Sequence, residues 1–189
     1  MAEVLLFHHA QGLTEGVRAF AYELRGAGHT VHTPDVYDGR TFPTLDEGLD
    51  YARKVGFGAL LERGVRSADD LPGELIYAGF SLGVMAAQQL TQTRPGARGA
   101  LFFHSCLPVA EFGTWPSGVA VQIHSMEEDP FFVGEDSDAA HELVASVEEA
   151  ELFLYPGGEH LFADNSLPSF RAEPAAILTQ RALDFLSAR

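Results

Sequence analysis

At 189 residues with 46% apolar side chains, the chain has the size of one domain spanning 1–189 with a substantial core. A formal net charge of −15 excludes a basic face for nucleic acid or for an anionic membrane surface, and no apolar run is long enough for a membrane span. The lone Cys106 excludes an internal disulfide and suits a cytoplasmic protein, and no basic stretch leads into a long hydrophobic segment as a secretion signal would.

Val4-Leu5-Leu6-Phe7 is a continuous apolar run, which predicts a strand buried on both faces of a parallel sheet. His8 to Gly12 reads as a loop. Thr14 then caps a helix whose buried stripe is Val17, Phe20, Ala21 and Leu24, ended by Gly26 and Gly28. His29 to Thr33 predicts a second strand, stopped by Pro34. Thr44 caps a helical stretch through Leu45, Leu49 and Ala52. Gly56 and Gly58 break it before Ala59 to Val65 resumes. Glu74 to Ala78 is β-rich and runs into Gly79-Phe80-Ser81-Leu82-Gly83, followed by an amphipathic helix over Val84 to Gln92. Ala100 to Phe103 predicts the fourth strand. His104 to Gly118, with Trp115 and two prolines, predicts little regular structure. A fifth strand is expected at Val119 to His124, a helix capped near Ser137, and a sixth strand at Leu152 to Tyr155. The last helix is expected from near Pro174 to about Ser187. Alternating strands and helices predict an α/β fold: a three-layer sandwich with about six mostly or wholly parallel strands and no cap domain.

Strand, Gly-x-Ser-x-Gly and helix together form the pattern of a nucleophile elbow. A serine on so tight a turn sits in strained backbone, and the residues two before and two after it crowd together. Small side chains are required there, and Gly79 and Gly83 supply them. The following helix aims N–H groups at a developing oxyanion, with the Leu82 N–H as one donor. An idle serine between two glycines is the plainer alternative, but it does not explain the flanking strand and helix.

Sites in parallel sheets lie at the carboxyl ends of the strands, and the elbow chemistry runs in the order serine, acid, histidine. Of the eight histidines only His141 and His160 follow the fifth strand. His141 falls on the solvated side of a helix. His160 lies in a glycine-rich loop after the sixth strand and is the candidate base. Glu127, Glu128 and Asp129 all stand in position for the acid. Asp129 is favoured, being the shortest and fixed by the proline that follows it. A second oxyanion donor is expected from Ala10 or Gln11. His8 and His9 stand at the first strand's end, either packed there or shaping a pocket floor. Phe112, Trp115, Phe131, Phe132 and Phe162 fall in loops near expected strand ends, and some of them could line an apolar pocket. Arg40 is the nominated cation for an anionic substrate group. Cys106 follows no elbow and reads as a small buried hydrophobe.

With these residues in place, the chain resembles the dienelactone hydrolase family. The resemblance rests on Pro34-Asp35-Val36-Tyr37, the elbow, Asp129-Pro130, Gly158-Glu159-His160-Leu161-Phe162 and the closing helix. It implies a small lid-free hydrolase of esters or lactones that uses no cofactor and no metal. Three departures bear on chemistry. Serine stands at position 81, where the family typically has cysteine. The stretch after the histidine ends in Asp164 rather than an arginine that clamps a carboxylate, so an anionic substrate is expected to be repelled. The family's leading hairpin has no counterpart, which favours an all-parallel sheet. For the family's glutamate near the nucleophile, Gln11 and Glu15 are the nearest candidates. The expected function is hydrolysis of a small neutral ester or lactone through an acyl-enzyme on Ser81. A non-catalytic ligand-binding protein and an acyltransferase are the alternatives.

Overall fold

The computed structural model describes residues 1–189 and contains one six-stranded sheet in the order β2-β1-β3-β4-β5-β6, with every neighbouring pair parallel. The strands are β1 (Glu3–Phe7), β2 (Thr30–His32), β3 (Ile76–Phe80), β4 (Gly99–Phe103), β5 (Val121–Met126) and β6 (Ala150–Tyr155). The helices are α1 (Glu15–Gly26), α2 (Leu45–Val55), α3 (Phe57–Arg66), α4 (Val84–Thr93), α5 (Glu135–Ser146) and α6 (Ala172–Ser187).

Successive side chains along the central strands enter opposite layers, as the pleat requires. Val4, Leu6, Ile76, Ala78, Phe80, Leu101 and Phe103 pack with α1 and α6 on one face. Leu5, Phe7, Tyr77, Ala100, Phe102, Val121 and Ile123 pack with α4 and α5 on the other, joined by half-buried Leu61 and Val65 of α3. Because both faces are covered, β1, β3 and β4 carry no polar alternation and read as continuous apolar runs, whereas β5 buries Gln122, His124 and Ser125 among its apolar residues. No helix is long and apolar enough to cross a membrane.

Several boundaries differ from those read in the sequence. The α2–α3 break falls at Gly56 alone, at φ +95, while Gly58 lies inside α3. Helix α5 begins two residues before Ser137, directly after Gly134 at φ +103, with Glu135, Asp136 and Asp138 in its first turn, where carboxylates suit the helix dipole. The long connection from β4 to β5 contains one short 3₁₀ turn, Val109–Glu111. It is strapped to α4 by two glutamines. The Gln88 side chain donates to Leu107 O at 2.7 Å and accepts from Leu107 N–H at 3.0 Å, and Gln92 donates to Val109 O at 2.9 Å. These amides satisfy backbone groups that no helix or strand pairs.

Candidate active site

Ser81 directly follows β3 at φ +47, in the left-handed region that a non-glycine residue enters only where its surroundings hold it. The surroundings here are tight. A Cβ on Gly79 would lie 2.5 Å from the Gly83 carbonyl, and one on Gly83 would lie 2.7 Å from the carbonyl oxygens of Phe7 and His8. The elbow is therefore wedged against the end of β1. A 3₁₀ turn, Ser81–Gly83, leads into α4, so the helix proper opens at Val84, as the sequence pattern predicts.

The loop after β6 is sewn to the loop after β5, with Glu127 N–H donating to Tyr155 O and Glu128 N–H to Gly157 O, each at 2.9 Å. This brings His160 onto Asp129 and Ser81. His160 Nδ1–H donates to Asp129 Oδ2 at 2.7 Å, and His160 Nε2 lies 2.8 Å from Ser81 Oγ. A carboxylate facing Nδ1 keeps the proton there, so Nε2 is free to accept from the serine hydroxyl. Asp129 is fully buried. Its Oδ1 accepts Phe131 N–H at 2.9 Å, and Ser125 Oγ approaches Oδ2 at 3.4 Å. Glu127 and Glu128 are both exposed and make no side-chain contact with the imidazole. His141 is exposed on α5, its Nδ1 on Ser137 O.

The two candidate donors on the loop after β1 differ. Gln11 N–H is spent on His9 Nδ1 at 3.2 Å, which removes it as an oxyanion donor. Ala10 N–H has no partner within the chain. The Gln11 side chain donates to Phe42 O at 3.1 Å and Glu15 is exposed at the start of α1, so neither stands at Ser81 as a counterpart of the family's glutamate. His8 is a packed histidine. Its Nδ1–H donates to His9 O at 2.8 Å and its Nε2 accepts Val36 N–H at 3.1 Å, while burial pushes its pKa down to about 4.

The aromatic residues divide sharply. Phe131 is 49% exposed with its ring 4.7 Å from that of His160, at the rim of the site. Phe162 is not a pocket residue. Leu161 at φ +61 reverses the chain and sends Phe162 into the core, against His104 and Tyr155. Phe132 is likewise buried in the core. Trp115 is also displaced from the site: its Nε1–H donates to Val119 O at 2.7 Å, and it stands beside Ser146 to Glu149, where β5 and β6 begin. Phe112 follows Val109, which is fastened to the last turn of α4, so it too is carried away from the carboxyl edge. Arg40 is exposed and lies over the Tyr51 ring at 5.6 Å, with no carboxylate partner. Asp164 is 1% exposed and bonded to His9, so it presents no charge to a substrate, and the expected repulsion does not arise from it. The Cys106 thiol is buried and pushed up to about 12 by that burial, with Asp136 adding to the rise.

Two features near the imidazole had no sequence signal. His104, fully buried at φ +67, has no partner for either ring nitrogen and lies edge-on to His160 at 5.8 Å. Burial, reinforced by the His160, His9 and His124 rings, holds its imidazole well below the usual range. Asp136 accepts from Ser105 Oγ at 2.6 Å and Cys106 N–H at 3.3 Å, and its half-buried carboxyl is raised by desolvation.

A serine hydroxyl, an imidazole and a carboxylate in one hydrogen-bonded line on an elbow are equipped for acyl transfer. The model of the dienelactone hydrolase family matches residues 1–189. The chain belongs to the dienelactone hydrolase family. Membership makes it an α/β-hydrolase acting on ester bonds. Its fold is similar to that of a dienelactone hydrolase-like promiscuous phosphotriesterase from metagenomic libraries (TM-score 0.77, 18% identity, 100% of this chain and 86% of the other). A Klebsiella pneumoniae chain named for the same dienelactone hydrolases gives a TM-score of 0.75 at 17% identity, covering 100% and 88%. The thioesterase domain of the curacin biosynthetic pathway gives 0.63 at 13% identity, covering 95% and 90%. Among curated sequences none matches.

Proposed function

We propose that the protein is a serine-dependent hydrolase of small neutral carboxylic esters or lactones, with Ser81 as nucleophile, His160 as general base and Asp129 as the acid that orients it. The observation that carries the reading is the unbroken line from Ser81 Oγ through His160 to Asp129, at 2.8 and 2.7 Å. His160 Nε2 takes the hydroxyl proton as Oγ attacks the carbonyl carbon. The tetrahedral oxyanion is met by the Leu82 and Ala10 N–H groups. Collapse breaks the acyl–oxygen bond, and His160 returns the proton to the leaving alkoxide. Water, deprotonated by His160 in turn, then releases the acid from Ser81. A serine hydroxyl, unlike a preformed thiolate, needs the base in both halves of the reaction. The chemistry uses protein groups alone, in a cytoplasmic setting that suits the single Cys106.

The substrate class follows from the rim. Phe131, 49% exposed, offers apolar contact beside the imidazole, and no arginine stands where a carboxylate clamp would be needed. Glu127 and Glu128, exposed on the loop that carries Asp129, add negative charge to that loop. Turnover of p-nitrophenyl esters of graded length and of several lactones tests the reading. Ser81→Ala should lower kcat by roughly 10⁴-fold or more. Turnover within a few-fold of the parent in that variant would end it.

A further inference from the structure

A second histidine–aspartate pair lies beside the first. His9 Nε2 is 2.8 Å from Asp164 Oδ2, and the two residues are 0% and 1% exposed. The His9 ring uses both nitrogens. Nδ1 accepts Gln11 N–H at 3.2 Å, so the ring proton sits on Nε2 and is donated to the carboxylate. Asp164 also accepts from Thr14 Oγ, from Ser166 N–H at 2.8 Å and from Ser166 Oγ at 2.6 Å. A Cβ on Gly16 would overlap its Oδ1 at 1.7 Å, so the first turn of α1 is pressed against it. Burial alone would raise this carboxyl. The hydrogen bonds from His9, Ser166 and Thr14 outweigh it and hold the group below its usual range, as an anion.

We propose that Asp164 and His9 are positioning residues that lock the loop carrying the oxyanion donor to the loop carrying the general base. The inference rests on the reading of Ser81 as nucleophile. Asp164 lies four residues after His160, in the same loop, whereas His9 immediately precedes Ala10. By taking up Gln11 N–H, His9 fixes the backbone on the far side of Ala10 and leaves Ala10 N–H as the free donor of this loop. The chain Asp164, His9, Gln11 therefore sets how far the oxyanion donor stands from the base. A pairing that served only to hold α1 to the last loop would have no use for the His9 Nδ1 bond.

Two conservative variants sever one link each. His9→Gln keeps a donor for Asp164, so no buried charge is orphaned, but it removes the acceptor for Gln11 N–H. Asp164→Asn keeps the shape and removes the charge. With rates normalised to titrated active sites, each should lower kcat for p-nitrophenyl acetate roughly ten- to hundred-fold, less than the 10²–10³-fold loss of a whole oxyanion donor. KM should stay within about two-fold, and the inhibition constant of a trifluoromethyl ketone, whose adduct carries the oxyanion, should rise in step with the loss in kcat/KM. If Asp164→Asn does not fold, His9→Gln decides. Normalised kcat within two-fold of the parent, or an unchanged ketone affinity despite slower turnover, would overturn the proposal. Failure of the underlying reading looks different: Ser81→Ala would keep its turnover.

Discussion

Asp129 shows how much a few ångströms decide at the scale of a residue. Three carboxylates stand within three positions after β5, and only the one pulled inward by Phe131 N–H meets the imidazole. Asp129→Asn should reduce kcat by roughly 10³–10⁴-fold, because an amide can donate toward Nδ1 and so favours the wrong tautomer. Glu128→Gln should leave kcat within about two-fold. Steady-state kinetics on one ester compares them, and equal effects would show that Asp129 has no special role. Ser81, His160 and Asp129 were legible because strand-end position and chain order are one-dimensional properties. Phe162 was not. Its direction depends on the positive φ of Leu161, which no side-chain pattern announces.

At the scale of the element, the elbow depends on β1 as much as on β3 and α4. Gly83 touches backbone carbonyls of Phe7 and His8, which cannot swing aside as a side-chain tip would. Gly83→Ala should therefore destabilise by about 3 kcal/mol, an overpacking cost with no soft neighbour to absorb it. That lowers the melting temperature by roughly 6–12 °C for a chain of this size. Calorimetry reads it, and an unchanged melting temperature would mean that the elbow does not press on β1. β1, β3 and β4, buried on both faces, were plain in the sequence because their cores are unbroken apolar runs. The connection from β4 to β5 was opaque. What directs it is a pair of glutamine side chains on α4, so Phe112 and Trp115, aromatic residues in a loop, ended away from the edge that carries the site.

Over the whole molecule, alternation of strand and helix was enough to read an all-parallel sheet. The pairing of His9 with Asp164 spans 155 positions and was invisible until the sheet brought the two loops together. The fold also buries imidazoles in neutral form. Burial lowers His8 to about 4 and His124 to about 3, from an ordinary 6.5, and holds His104 well below the ordinary value. As pH falls below about 6.5 the unfolded chain binds protons that the folded one refuses, so stability present above that pH is lost on acidification. By pH 5 His8 and His124 each cost about 2 kcal/mol, a large share of a typical total. Acidification also relieves repulsion within a chain of net charge −15, but those charges are mostly exposed and screened by salt. The urea midpoint should therefore drop between pH 7.5 and pH 5. A midpoint that holds level would show these rings already charged in the folded state.

A Ser81 hydroxyl made reactive by His160 and Asp129 is read directly by covalent capture. Incubation with a fluorophosphonate, followed by peptide mass spectrometry, should place a single adduct on Ser81, formed more slowly in Asp129→Asn and absent in Ser81→Ala. An adduct on another residue, or none while ester turnover proceeds, would contradict it.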